Sequence, residues 1–453
     1  MLPIISRQLI YPLQESLLHR PTFKYLRELE QTQWYSREDI EALQLKKLQA
    51  LLTTASTNCP WHANRIREAN INSASVSMEE FRHLPTMDKK DAQLHGSEMT
   101  WKNVPSDLHQ YTTGGSSGQP LIFQFGRQRQ ASDAAGRIRA RRWWGVNVGD
   151  PEVYLWGAPV ELNKTDKIKT IRDRLLNQLV LNAFAMSPEM MGEYLQAIKQ
   201  FKPKCIYGYA SSIALLAAYA QNNKKIDLPD LKVICTTGEP LYPEQRKLIQ
   251  DTFGVPVANE FGSRDIGFTA HETPDQQILL ISESIILEVL DPQGNPVAPG
   301  ETGEAVMTGL CSEAQPFIRY RTGDMISLSS EPDKQGRGLH VIKEIEGRST
   351  DFLVHKDGSI MHALSVIYIL RDTEGVEQFK IIQHAVDEFE ILVVANDYWN
   401  NKSKEKIIAK FKTLFGQEIS ITVSTIIEIL PEASGKIRQV VSLVNYFRLL
   451  NNN

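Results

Sequence analysis

Apolar positions along the chain change their period several times, and each change marks an element. After Ser36 and Asp39, which resemble a helix-capping pair, Ile40, Leu43, Leu48, Leu51, Leu52 and Ala55 recur at helical spacing, so the pattern predicts an amphipathic helix that Cys59-Pro60-Trp61 ends. Ser132 to Trp144 reads as a second helix. Short apolar runs then alternate with helical stretches: strand Val153 to Trp156, helix Met190 to Phe201, strand Cys205 to Tyr207, helix Ser212 to Gln221, strand Leu231 to Cys235, helix Tyr242 to Phe253, strand Val257 to Phe261. This alternation predicts an α/β sheet, whose ligands gather where strands end in loops. Beyond residue 278 the period shortens to that of strands, with turns at Asp291-Pro292-Gln293-Gly294 and Ala298-Pro299-Gly300, which predicts a β-rich subdomain. The last hundred residues regain an α/β rhythm, with strand Phe389 to Val394, helix Ser403 to Phe415 and strand Ile419 to Val423. The domain expectation is 1–349 and 350–453.

Composition narrows the class without naming it. With 453 residues, 42% hydrophobic and 23% charged, the chain is an ordinary globular sequence, and a net charge of −4 argues against a nucleic-acid backbone as its main partner. Arg127, Arg129, Arg137, Arg139, Arg141 and Arg142 form a local basic cluster that reads as a solvated helix face. Cys59, Cys205, Cys235 and Cys311 lie far apart with no CxxC, which fits reduced thiols in a cytoplasmic protein and no zinc site. The apolar positions of the first 14 residues lack a signal-peptide pattern, and no apolar run is long enough to span a bilayer.

The densest run of glycine and hydroxyl residues is Tyr111-Thr112-Thr113-Gly114-Gly115-Ser116-Ser117-Gly118-Gln119-Pro120. Such a run presents backbone N–H groups and hydroxyls with little bulk, which suits phosphate oxygens, although plain loops share this composition. Gly114 to Gly118 also fits the G-x-S-x-G nucleophile elbow. That motif needs a helix after the serine, whereas Pro120 and the β-rich Leu121 to Phe125 follow here. A Walker loop fails because Gln119 and Pro120 stand where lysine and a hydroxyl residue belong. A phosphate-contacting loop between two strands remains.

Further polar clusters follow in order: Gly238-Glu239-Pro240-Leu241, Glu260-Phe261-Gly262-Ser263-Arg264-Asp265, Tyr320-Arg321-Thr322-Gly323-Asp324, Gly347-Arg348-Ser349-Thr350-Asp351 and Ser434-Gly435-Lys436. Each alone has a bland explanation as a turn, a strand end or a surface ion pair. Together with the glycine loop, the series resembles the signatures of the adenylate-forming ligases. Gly-Ser-Arg-acid at 262–265, Tyr207-Gly208-Tyr209-Ala210-Ser211-Ser212, Asp357-Gly358 and Phe379 to Gln383 resemble the phenylacetate–CoA ligase branch and its CapK-type members.

The resemblance, from about residue 36 to 441, implies a large N-terminal domain of α/β sheets with a β-rich subdomain, and a small mobile C-terminal α/β lid. It implies an enzyme that uses ATP and Mg2+ to turn a carboxylic acid into an acyl-AMP and passes the acyl group to a thiol such as CoA. An amine or sugar acceptor in polysaccharide biosynthesis, a silent nucleotide-binding scaffold and a hydrolase using Ser116 are the rival readings. In the family pattern Thr112, Thr113, Gly114, Gly115, Ser116, Ser117 and Gly118 hold the β- and γ-phosphates, and Asp265 ligates magnesium. Arg264 contacts phosphate, Gly238, Glu239 and Pro240 line the adenine site, and Glu260, Phe261, Gly262 and Ser263 complete the nucleotide contacts. Asp324 and Arg348 take the ribose, and Lys436 reaches the α-phosphate and the carboxylate. Tyr207, Gly208, Tyr209 and Ala210, with Trp156 nearby, are the candidates for the acid pocket. Four positions depart from the commoner pattern: Arg264 where many members have threonine, Thr350 where many CoA ligases have a hinge acid, Leu121 where many have lysine, and Asp265 in place of glutamate.

Overall fold

A computed structural model describes residues 2–105, 107–112, 121–156, 166–183, 186–223, 226–291, 293–345, 352–356, 360–429 and 439–444. Packing divides the chain into two units. The first holds Met1–Thr113, Leu121–Asp150 and Ala258–Gly347, and the second holds Pro151–Val257 and Arg348–Asn453. One cut falls beside the expected boundary near residue 350; the cuts near 113, 150 and 257 lie within the expected large domain.

In the first unit the strands from Ala258 onward form an antiparallel sheet. Its spatial order is Ile285–Leu290, Thr302–Gly309, Tyr320–Leu328, Val341–Ile345, Ile278–Leu280, Gly267–Glu272 and then the strand ending at Ser263. A separate hairpin pairs His109–Thr112 with Ile122–Phe125. The predicted amphipathic helix is Arg37–Asn58, and Ser36 caps it by accepting from the Asp39 N–H at 3.1 Å. Its Leu48, Leu51, Leu52 and Ala55 are buried against Phe81, Leu84 and Ile318.

Helix Arg127–Trp143 departs from expectation. Arg129, Arg139 and Arg141 are buried, so the basic cluster is no solvated face. The cost of desolvating a guanidinium is offset where carboxylates and carbonyls surround it. Arg139 forms a buried ion pair with Glu283 and donates to the Leu29 carbonyl at 3.1 Å. Small residues let the helix approach closely: a side chain at Gly136 would stand 2.9 Å from the Phe268 ring.

In the second unit four parallel strands run in the order Val233–Thr237, Cys205–Tyr209, Glu152–Trp156, Gln178–Asn182. Helices Pro188–Phe201, Ala210–Asn223 and Pro243–Phe253 pack on this sheet through Ile198, Ile213, Leu216, Ile249 and Phe253. The two strands Val233–Thr237 and Cys205–Tyr209 are buried along their length, as parallel strands covered by crossover helices are, whereas Glu152–Trp156 and the edge strand Gln178–Asn182 are only partly covered. Gly254, at φ +70°, closes the third helix in the left-handed conformation glycine tolerates.

The C-terminal residues of this unit form a mixed sheet in the order Ser420–Ile426, Glu388–Ala395, Val376–Ala385, Val440–Ser442, with helices Leu364–Arg371 and Asn401–Phe415. Phe379, Phe389 and Phe411 are its largest buried side chains. Truncating any one to alanine would cost about 3–5 kcal/mol.

Candidate functional site

The glycine loop is framed by the hairpin. Thr112 pairs with Ile122 and His109 with Phe125, so the segment between leaves one antiparallel strand and enters another. Among the described residues the first element after the serines is strand Ile122–Phe125 and not a helix, which does not fit the strand–turn–helix context of a nucleophile elbow. Thr112 is exposed at the strand end; Thr113, Gly114, Gly115, Ser116, Ser117 and Gly118 lie outside the described residues.

Arg264 and Asp265 sit in the turn that joins the strand ending at Ser263 to Gly267–Glu272. The register shifts between Phe261 and Gly262, and Ser263 Oγ accepts from the Ile266 N–H at 3.1 Å to close the turn. The turn is tight at both ends. A Cβ at Gly262 would stand 2.7 Å from the Gly267 carbonyl, and Gly267 itself has φ +111° with the Asp133 carboxylate against it.

Arg129 holds this turn from below. Its buried guanidinium donates to the Asp265 carbonyl at 2.7 Å and to the Arg264 carbonyl, and lies 5.4 Å from the Phe123 ring. Asp133, one helical turn along, faces Arg129 at 3.7 Å and accepts from the Phe268 N–H at 3.1 Å. Burial raises the Asp133 pKa, opposed by the Arg129 charge and that hydrogen bond.

Above the turn, the exposed Arg264 donates through Nη1 to the Thr112 carbonyl at 3.1 Å. The base of the glycine loop and the Arg-acid pair, 152 residues apart in the chain, therefore meet. Asp265 is half-buried, and its carboxylate has no hydrogen-bond or ion-pair partner among the described residues. Those residues contain no group of three or more His, Cys, Asp or Glu able to hold a metal. A lone carboxylate nevertheless fits magnesium bound mainly through water and phosphate oxygens. Glu260 is buried on the preceding strand with Arg137 at 3.9 Å.

Asp324 stands in a bulge within a strand. Across from it, Glu304 pairs with Met325 and Val306 with Arg321, so the register shifts at Thr322-Gly323-Asp324. Thr322 Oγ1 donates to the Ala305 carbonyl at 3.0 Å and accepts from the Asp324 N–H at 3.2 Å; Glu304 accepts from Arg321 at 2.8 Å and from the Gly323 N–H at 3.2 Å. Gly323, at φ +75°, permits the kink that re-aims Asp324.

The second unit supplies an aromatic edge. Trp156, Tyr207 and Tyr209 alternate onto one face: Trp156 stacks on Tyr209 with centroids 4.5 Å apart and planes at 11°, and lies 5.6 Å from Tyr207. Trp156, Tyr209 and Thr237 end their parallel strands, the edge at which α/β sheets bind ligands. Gly208 points the other way; a Cβ there would meet the Leu155 carbonyl at 2.4 Å, so its place is close strand packing. Ala210 is buried as the first residue of helix Ala210–Asn223.

Gly238, at φ +78°, turns the chain over the Tyr209 ring, and Glu239 accepts from the Ser211 N–H at 2.9 Å. This carboxylate sits at a helix N-terminus, where the unpaired N–H groups favour it. Pro240 follows it in the chain. Arg348 and Lys436 lie outside the described residues.

Sequence reasoning missed Arg129, although Arg129, Asp133 and Arg137 at intervals of four on one helix were a readable signal. It also missed that Glu239 caps the helix carrying Ser211. That pairing depends on two loops meeting and has no local signature.

Known proteins resemble this chain in sequence and in fold. Residues 179–312 match the AMP-binding enzyme family, and residues 353–443 match the CapK C-terminal domain. Protein CapK of Staphylococcus aureus is 23% identical, covering 91% of this chain and 92% of its own length. A phenylacetate-coenzyme A ligase of Thermus thermophilus is 22% identical, covering 90% and 97%. Among solved structures, 2-hydroxyisobutyryl-CoA ligase in complex with 2-HIB-AMP and CoA in the thioesterification state shares the fold, with a TM-score of 0.64, 20% identity and coverage of 92% and 93%.

Proposed function

Because the chain belongs to the adenylate-forming superfamily, on its phenylacetate–CoA ligase and CapK branch, we propose that it is an AMP-forming acid–thiol ligase using ATP and Mg2+. In the first step a carboxylate oxygen attacks the α-phosphorus, and the bond to pyrophosphate breaks. In the second the sulfur of CoA attacks the acyl carbon, and AMP leaves. The observation that carries this reading is the Arg264 bond to the Thr112 carbonyl. It fixes a guanidinium at the base of the phosphate loop, beside a carboxylate with no partner of its own among the described residues.

In this reading Thr112 to Gly118 cradle the β- and γ-phosphates, and Arg264 contacts a phosphate oxygen. Magnesium, held by Asp265 through oxygen, would neutralise phosphate charge as pyrophosphate departs. Asp324 and Arg348 hold the ribose; Gly238, Glu239 and Pro240 border the adenine, and Glu260, Phe261, Gly262 and Ser263 contribute further nucleotide contacts. Trp156, Tyr207 and Tyr209 line the acid pocket, with Ala210 following them at the start of helix Ala210–Asn223; Gly208, turned to the other face, lets the strands that carry the aromatics pack closely. Lys436, on a lid formed by 350–453, brings its ammonium to the carboxylate and α-phosphate during adenylation.

The four cysteines form no disulfide, which suits a reducing compartment, and we place the protein in the cytoplasm, where ATP and CoA are supplied. Among the described residues no helix is long and apolar enough to cross a membrane. A second reading keeps the adenylation and replaces CoA with an amine or sugar acceptor; the CapK-type match of residues 353–443 favours it.

Pyrophosphate release and hydroxylamine trapping over aryl, fatty and hydroxy acids test the first step, and repetition with CoA tests the second. Acyl hydroxamate without thioester formation supports the second acceptor class. ATP binding with no pyrophosphate from any acid overturns both readings in favour of a scaffold.

A further inference from the structure

The chain begins with a helical segment that presents its apolar side outward. Pro3–Ile5, a wider π turn Ser6–Ile10 and Tyr11–Leu17 follow one another without a break. Leu2, Ile5, Leu9, Leu13 and Leu17 recur every three or four residues and so share one stripe, bordered by Ile4. All six are exposed, from 39% at Ile5 to 70% at Leu17.

The opposite side anchors the segment to the first unit by polar contacts. Arg7 donates to the Val148 carbonyl at 2.9 Å and pairs with Asp150 at 3.3 Å. Gly149 leaves room for the helix, since a Cβ there would stand 2.7 Å from the Pro3 carbonyl. Ser6 is buried, and so is Glu15, which accepts from Arg20 at 2.6 Å and from Thr22. An amphipathic helix docked for its own fold would turn the leucines inward. This one is held the other way round by specific bonds, so the outward stripe is a built feature.

Charge points to what covers it. From residue 2 to 27 the acidic residue is Glu15, which is buried, while Lys24 and Arg27 are exposed and Arg7 is partly so. A stretch with an apolar stripe, whose exposed charges from residue 2 to 27 are cationic and include no exposed carboxylate, matches the boundary of an anionic lipid layer. Its size argues against a second copy of the chain. A segment roughly 22 Å long and about 10 Å wide offers on the order of 200 Å², well short of the ~800 Å² per partner of a stable dimer.

We propose that this segment is a peripheral membrane contact, lying in the plane of an anionic bilayer surface with Leu9, Leu13 and Leu17 inserted at the headgroup–acyl boundary. It does not depend on the adenylating activity. The full chain is incubated with vesicles of phosphatidylcholine alone and of phosphatidylcholine with phosphatidylglycerol at three to one, then sedimented. Binding to the anionic vesicles is expected, with at least a ~10-fold loss in the variant Leu9→Ser/Leu13→Ser/Leu17→Ser. A several-fold loss, confined to anionic vesicles at low salt, is expected for Lys24→Gln/Arg27→Gln. Unchanged thermal unfolding of both variants shows that the fold is intact, as their exposed positions imply. The proposal is overturned if the wild-type chain stays in the supernatant with both vesicle types, or if the leucine variant binds as well as wild type. It is equally overturned if sedimentation equilibrium shows a dimer that the same three substitutions dissolve.

Discussion

The two units solve the burial problem in opposite ways. The first is threaded with buried charge: Arg129 on backbone carbonyls, Arg139 on Glu283, Arg319 on Glu288 through two bonds of 2.9 Å, and Arg337 on Asp333 at 3.1 Å. The second buries a parallel sheet of valine, isoleucine, alanine and aromatic residues. Its ion pairs Lys247–Asp251 and Lys356–Asp387 lie at the surface. The contrast follows the tasks proposed for the two. Handling phosphate charge requires donors that are already fixed and dehydrated, whereas a pocket for the body of an acid requires shape and apolar surface.

Four experiments would break or sharpen this contrast. The largest effect is expected from Lys436→Ala, which should lower the rate of acid-dependent pyrophosphate release by about 10²–10³-fold, the loss typical of one donor to transition-state charge. A smaller loss would shift the burden to Arg264.

Arg129→Ala should come next, leaving the Arg264 and Asp265 carbonyls without their buried donor. A destabilisation of about 2–3 kcal/mol in urea unfolding is expected, with a raised KM for ATP. Arg129→Lys should rescue little, because one ammonium cannot reproduce the fork across two carbonyls. Full rescue would show that charge, and not geometry, holds the turn.

The acid limb of stability should arise in the charged unit. His62 is buried between the Pro316 carbonyl, 2.9 Å from Nε2, and Arg65, 3.1 Å from Nδ1. Burial first, and then the Arg65 charge, lower its pKa from 6.5 to about 3. Between those values the unfolded chain binds a proton that the folded one refuses, so stability is complete above pH 6.5 and declines as pH falls toward 3. His62→Gln keeps a donor and an acceptor and should flatten that decline, by about 3 kcal/mol at pH 4 in denaturant unfolding. An unchanged acid limb would place the sensitivity elsewhere.

The mildest change is expected from Trp156→Leu, which removes the stacked partner of Tyr209. Removing an aromatic pair of this kind costs about 0.5–1.5 kcal/mol beyond area. The preferred acid should change by a few-fold in KM, with the KM for ATP unaltered. A change in both would mean that the aromatic edge also serves the nucleotide.

Much of this could be read along the chain. Strand Cys205 to Tyr207, helix Met190 to Phe201 and helix Tyr242 to Phe253 were legible from period alone and agree with the fold to within a few residues. Local spacing is enough there because each element buries one periodic face. The loop between two strands was legible for a similar reason, since Pro120 and the β-rich run after it forbid a helix. Thr322-Gly323-Asp324 was only half legible: glycine announced an irregularity, but a turn and a bulge look alike until the partner strand shows its register.

What the sequence alone determined is the chemistry available to this protein: the order of the hydroxyl loop, Arg264-Asp265, Asp324 and Lys436, and the alternation that makes an α/β sheet. Local composition decides those, because hydrogen-bonding capacity and hydrophobic period are properties of short segments. Only the tertiary structure decided where the charges of helix Arg127–Trp143 go. Whether a guanidinium meets water, a carboxylate or two carbonyls depends on chain more than a hundred residues away, as the Arg129 bonds to the Arg264 and Asp265 carbonyls show. The same is true of the outward leucines of the first helix, whose period is unremarkable and whose orientation is set by Arg7 reaching Val148 and Asp150.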